Sequence, residues 1–185
     1  VALTSLTTNG GGTTQLNGGV VSSAGAQTYN DDVTLGAPTT LTASMATFNG
    51  NLAGGGNSLA VTGNAVFGNA GADTVNGLTT LTVSGTTGIN ANVVSTTGLQ
   101  TYTGPVTVAY SPVLTGVNVS FGNTVDGAGN LTVTDAGTTV FTGLVGGGVA
   151  LTSLTTNGGG TTQLNGGGVT STGLQLYGEN VTLGA

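Results

Sequence analysis

The sequence predicts an all-β chain wound as a parallel β-helix, a β-solenoid of about ten rungs with about 18–20 residues in each. Three observations carry that expectation: a long internal repeat, apolar residues alternating in short runs, and glycine or asparagine between the runs.

The repeat comes first. Val149 to Gly167 restates Val1 to Gly19, nineteen positions matched residue for residue. The copies then diverge but stay in step, Val33-Thr34-Leu35-Gly36-Ala37 being matched by Val181-Thr182-Leu183-Gly184-Ala185. Residues 1–148 therefore form one full repeat unit, and 149–185 begin the next. Within the unit, Gly25-Ala26-Gln27-Thr28-Tyr29 returns as Gly98-Leu99-Gln100-Thr101-Tyr102. It returns again as Gly173-Leu174-Gln175-Leu176-Tyr177, which divides the unit into halves of about 1–73 and 74–148. A shorter spacing lies beneath: Phe48 to Phe67 and Leu16 to Leu35 are equal steps, and Phe121 to Phe141 is longer by a single position. This is the rung, about four to each half-repeat, and the expected domain is one continuous coil.

Each rung holds two or three short strands. Leu131 and Val133 share one face while Thr132 and Thr134 share the other, and Thr138 to Thr142 places Phe141 inside and Val140 outside. No stretch sustains a 3.6-residue period, so no helix is expected. The 37 glycines and the asparagines fall between these runs, where corners demand conformations that Gly and Asn tolerate.

Composition fits the same geometry and excludes several functions. Charged residues are 3 %, against about 25 % in ordinary domains. Equivalent positions on neighbouring rungs lie about 4.8 Å apart, where like charges repel by about 1 kcal/mol even in water. Thr and Asn stack without that cost, and Asn forms hydrogen-bonded ladders. The chain has no Lys, Arg, His, Cys or Trp, and a net charge of −6. Without cations there is nothing to neutralise phosphates, so nucleic acid is not an expected partner. Adhesion to an anionic membrane through basic residues fails for the same reason. Disulfides and thiolate metal sites are excluded by the lack of Cys. No apolar run approaches the ~18 residues of a membrane-crossing helix, so membrane insertion is not expected. No cofactor and no catalytic residue is expected.

Leu3-Thr4-Ser5-Leu6-Thr7-Thr8, Gly127-Ala128-Gly129-Asn130-Leu131-Thr132-Val133 and Gly25-Ala26-Gln27-Thr28-Tyr29 resemble the β-strand-repeat regions of very large exported bacterial proteins. The shafts of filamentous-haemagglutinin-type adhesins and related autotransporters are similar, and the likeness of style covers the whole chain. The resemblance implies a right-handed coil, an extracellular or cell-surface location, and a role as stalk, adhesin or matrix fibre. The chain departs from that family in lacking every basic residue and in its long near-identical repeats, which favours a shaft over a binding tip.

Candidate sites are few. The acids are Asp31, Asp32, Asp73, Asp126, Asp135 and Glu179. Asp31 and Asp32 are adjacent, and neighbours on a strand point to opposite faces, which is wrong for a carboxylate pair and reads as a solvated corner. Asp126 and Asp135 are the other pair that a turn could bring together, and a paired site is not expected of them either. The glycine triplets Gly10–Gly12, Gly54–Gly56, Gly146–Gly148 and Gly158–Gly160 carry no Asp in a calcium-binding register, and read as wide corners. Because Leu99, Leu174 and Leu176 alternate with Gln and Tyr, the pairs Gln27/Tyr29, Gln100/Tyr102 and Gln175/Tyr177 are expected to face outward. There they would form a row about 19 Å apart, open to lateral contact with carbohydrate, a cell surface or a neighbouring fibre. Thr-x-Thr pairs such as Thr40/Thr42, Thr80/Thr82 and Thr132/Thr134 raise an ice-binding face, but they do not recur once per rung. Neither end carries a polar cap, so self-association end to end into filaments is expected.

Overall fold

A computed structural model describes residues 3–184; Val1, Ala2 and Ala185, which belong to the compared repeat segments, lie outside the described residues. The described residues form 23 strands and no helix, and every strand pairing is parallel. The chain winds as a three-faced coil. Leu6–Thr8 opens the first face, Thr13–Leu16 the second and Val20–Ser22 the third, and Gln27–Tyr29 returns to the first. On the first face the residues in line are Leu6, Gln27, Ala46, Ala65, Thr87, Val106, Val125, Val145 and Val169. The second face is a sheet of nine strands from Thr13–Leu16 to Gln175–Tyr177. The first and third faces fuse into one sheet because Thr39–Phe48 and Leu59–Phe67 run around the corner between them unbroken. Gly63, at φ 130°, makes that bend; a Cβ there would overlap the Ala43 carbonyl of the turn before.

The parallel coil is as the sequence predicts, with two corrections of size. There are nine layers where ten were expected, so at about 4.8 Å per layer the rod is about 38 Å long. The rungs are also less uniform. The steps from Gln27 to Ala46 and from Ala46 to Ala65 are equal, but the step from Ala65 to Thr87 is longer by three positions, and that from Val145 to Val169 by five. The extra residues sit in loops at Gly68–Asp73 and Gly146–Val149, outside the strands, where the chain lengthens without shifting a face.

Alternation sets the core. In Asn130–Asp135, Leu131, Val133 and Asp135 point in while Thr132 and Thr134 point out; in Thr138–Phe141, Thr139 and Phe141 point in. Leu16 pairs with Leu35, Phe48 with Phe67, and Phe121 with Phe141, as their spacing predicts. The apolar interior runs continuously from Leu16 to Leu154, each layer covered by the next. Outside the coil, Asn49 Nδ2 donates to Asn30 Oδ1 at 2.8 Å, a rung of the anticipated amide ladder.

Repeat period and coil period do not coincide. Leu6–Thr8 lies on the first face, whereas its identical copy in Ser153–Asn157 lies on the second. Thr13–Leu16 lies on the second face and its copy Thr161–Leu164 on the third.

Candidate functional site

Four of the six side chains expected to make lateral contacts lie inside the coil. Gln27, Tyr29, Gln100 and Tyr102 are each 0 % exposed, and the outward reading of these pairs is corrected. Leu99 and Leu174, from which the alternation was counted, are the exposed ones, at 47 % and 62 %. The two-residue alternation holds, but Leu99 and Leu174, each following a corner glycine, and Leu176 take its outward positions while Gln and Tyr take its inward ones. The glycine itself is required by close approach: a Cβ on Gly25, Gly98 or Gly173 would stand 2.6, 2.9 or 2.8 Å from the carbonyl of Thr4, Thr79 or Thr152 in the preceding turn. Gln175 and Tyr177 have the same inward geometry but sit in the last layer, where Gln175 is exposed and Tyr177 half-buried.

Inside, the Gln-x-Tyr pair is a clasp. The Gln100 carboxamide donates to Val94 O at 3.2 Å and to Thr115 O at 2.8 Å, carbonyls of its own turn and the next, while its Oε1 accepts from the Tyr102 hydroxyl at 2.9 Å. Gln27 repeats the arrangement, donating to Val21 O, Thr42 O and Ser23 Oγ, with Tyr29 donating to Oε1 at 2.9 Å. Gln175 donates to Val169 O and accepts from Tyr177. A buried amide is tolerated here because its donors and its oxygen are taken up by carbonyls and a hydroxyl of the corner. Burial makes ionising the phenols costly. It pushes Tyr29 up to about 12 and raises Tyr102 and Tyr177 as well.

The tyrosine rings begin aromatic columns. Tyr29, Phe48 and Phe67 stack with centroids 5.1 and 5.5 Å apart, and Tyr102, Phe121 and Phe141 at 5.5 and 4.9 Å, all within 15° of parallel. Offset stacks of this kind stabilise by about 0.5–1.5 kcal/mol per pair beyond the area they bury. The first column stands on the first face and the second on the third. The two tyrosines therefore do not share a lateral row, and the evenly spaced row expected from the sequence does not exist.

The acids are likewise engaged by the coil. Asp31 reaches back to Gly11 N of the preceding turn, whereas Asp32 reaches forward to the Asn51 backbone and amide in the following one. Asp73 accepts from Asn69 N and Ala70 N, Asp126 from Gly148 N and Val149 N, and Glu179 from Gly160 N and Thr162 Oγ1. Asp135 is fully buried and accepts from Asn118 N, Val119 N, Gly137 N and Thr139 Oγ1 at 2.8–3.0 Å. Asp126 and Asp135 stand on different faces, the first paired with Thr107 and the second with Gly116. Three of the glycine triplets turn out to be the partners of acids: Gly10–Gly12 of Asp31, Gly146–Gly148 of Asp126, and Gly158–Gly160 of Glu179. Asp31 and Glu179 occupy the same place in successive repeats, a signal available in the sequence. Among the described residues no three Asp or Glu side chains gather where they would hold a metal ion.

The outer surface is polar and uneven. Along the first face the outward residues are Thr7, Thr28, Thr47, Val66, Gly88, Thr107 and Asp126, so the threonine row breaks after three layers. A groove at the last turn, lined by Leu164, Val169, Gln175, Tyr177 and Leu183, is continuous with the apolar interior. On the same surface Asn118 Oδ1 accepts from Thr138 N, and Asn130 bonds Ser111 and Ser153. Comparison of the chain with protein-family models, with curated proteins and with solved structures finds no match.

Proposed function

We propose that the chain is a segment of the shaft of a long exported bacterial fibre, stalk or matrix protein, whose work is to hold distance at or beyond the cell surface. One observation carries the reading: the polar chemistry of the chain is turned on the coil itself. All six carboxylates accept hydrogen bonds from corners of the coil, and the buried glutamines and tyrosines clasp one another. Such a molecule supplies length and persistence. Layer covers layer, so each added repeat lengthens the rod and buries the face below it.

The composition supports an exposed setting. A chain with no Lys or Arg offers no bond to trypsin-like proteases, and its four phenylalanines lie in the core. Self-association into filaments belongs to the same reading, because parallel layers stack through backbone hydrogen bonds and apolar contacts that a further copy of the coil continues.

Two measurements test the proposal. Antibody to the chain should label intact, unpermeabilised producing cells; labelling only after permeabilisation contradicts an exported shaft. Adding one further copy of residues 1–148 should lengthen the particle in negative stain by about 35 Å at constant width, at ~4.8 Å per layer. A particle that broadens instead contradicts it.

A further inference from the structure

The misfit between repeat and coil has a constant value. Starting from Gln27 on the first face, three whole turns lead through Ala46 and Ala65 to Thr87. The chain then crosses the second face at Val93–Thr96 and meets Gln100 on the third. The half-repeat thus spans three and two-thirds turns. From Gln100 the chain again makes three turns through the strands at Val119, Thr138–Phe141 and Thr161–Leu164, crosses the first face at Val169, and meets Gln175 on the second. The three copies of the clasp occupy three different faces. From Gln100 to Gln175 is longer than from Gln27 to Gln100 by two positions, yet the two half-repeats advance alike. One extra residue lies in the step from Phe121 to Phe141, compared with Phe48 to Phe67. The other lies in the step from Phe141 to Leu164, compared with Phe67 to Ile89. Loops absorb the difference, and the two-thirds turn is preserved.

We propose that the array is a three-fold screw whose unit is the half-repeat, so that every lateral surface it encodes is offered on three faces in turn. The clasp copies advance by about 18 Å along the axis and return to a given face after about 11 turns, about 53 Å at ~4.8 Å per layer. The outer surface follows the core: Thr28, Thr47 and Val66 stand in line on the first face, and Thr101, Ser120 and Val140, their half-repeat counterparts, stand in line on the third. The partner that fits such a shaft approaches from any side, as neighbouring copies packed around it do. A flat partner that reads one face meets the same surface only once in that long period. This geometry holds whether or not the chain is exported.

The test uses the 185-residue chain, which has no cysteine of its own. In the observed phase Thr101 lies beside Thr82. Were the half-repeat a whole number of turns, Tyr102 would cover Ile89, and Thr101 would lie beside Gly88. Two double variants separate these: Thr82→Cys with Thr101→Cys, and Gly88→Cys with Thr101→Cys. All three positions face outward, and a Cβ on Gly88 meets nothing closer than 3.5 Å. Neighbours in line on adjacent parallel strands are within disulfide reach. Mild oxidation of the monomer should remove both free thiols from the first variant and leave both in the second, with the far-ultraviolet spectrum unchanged. Loss of thiols in the second variant, in both alike, or in neither with the spectrum unchanged overturns the proposal.

Discussion

Replacing Gln100 by Leu isolates the contribution of the clasp. The side chains are close in volume, so the core is neither emptied nor overfilled. What disappears is the amide that bonds Val94 O, Thr115 O and the Tyr102 hydroxyl. The two carbonyls each keep a second lone pair for the sheet, so their loss is at the low end, about 0.5–1 kcal/mol apiece. The phenol has no second partner and is buried, which costs about 1–3 kcal/mol. The sum is a loss of about 2–5 kcal/mol, measured as the shift in urea midpoint at constant slope. Tyr102→Phe alone should cost about 1–2 kcal/mol, since it strands the Gln100 oxygen. In the Gln100→Leu background the same change removes an orphaned hydroxyl and should restore about 1 kcal/mol. The sign reversal is a coupling of about 2–3 kcal/mol. Gln175→Leu, the same residue of the motif in the exposed last layer, should cost under about 0.5 kcal/mol. Additive single effects, or equal losses at Gln100 and Gln175, would refute the reasoning.

Four further outcomes follow from named contacts. Phe121→Ala removes the middle ring of a buried column and should cost about 3–5 kcal/mol in the same urea assay, more than any outward Thr→Ala. Thr87 carries a buried hydroxyl with no hydrogen-bond partner, so Thr87→Val should raise stability by about 1 kcal/mol, a gain of a few degrees in melting temperature. Asp135→Asn puts an amide donor in place of Oδ2, where it faces Val119 N, or of Oδ1, where it faces Asn118 N and Gly137 N, and should cost about 2–3 kcal/mol, again by urea midpoint. Finally, an unfolded tyrosine ionises near pH 10 while folded Tyr29 is pushed up to about 12, and Tyr102 is raised in the same direction. Their contribution is therefore complete below about pH 10 and falls as pH rises through about 10 to 12 and beyond. Phenolate absorbance should lag behind that of a free tyrosine until the coil unfolds.

The rung was legible because Phe48/Phe67, Phe121/Phe141 and Leu16/Leu35 recur at the coil's own spacing, and stacking identical side chains is how a solenoid fills its core. The strands were legible from alternation in stretches such as Leu131 to Thr134. The clasp was hidden because Leu99, Leu174 and Leu176 take the outward positions of the alternation, and an apolar residue beside Gln and Tyr reads as the buried one. A usable signal was present: Tyr29 precedes Phe48, and Tyr102 precedes Phe121, by the same interval that separates Phe48 from Phe67. A residue one rung from an inward Phe is itself inward. The phase was missed because a long exact repeat invites division into whole turns, whereas the unequal steps from Gln27 to Ala46 and from Val145 to Val169 do not divide it evenly. Asp135 reads only as a residue that a turn could bring to Asp126, since nothing in a single carboxylate announces that three backbone N–H groups converge on it.

Two separate aromatic columns stand inside one parallel coil, and proton NMR of the four Phe and four Tyr rings tests columns and coil at once. Cross-relaxation should connect Phe48 with Tyr29 and Phe67, and Phe121 with Tyr102 and Phe141, with Tyr110 joined to neither set. Cross-peaks joining the Phe48 set to the Phe121 set, or none along either column, would contradict the three-faced coil.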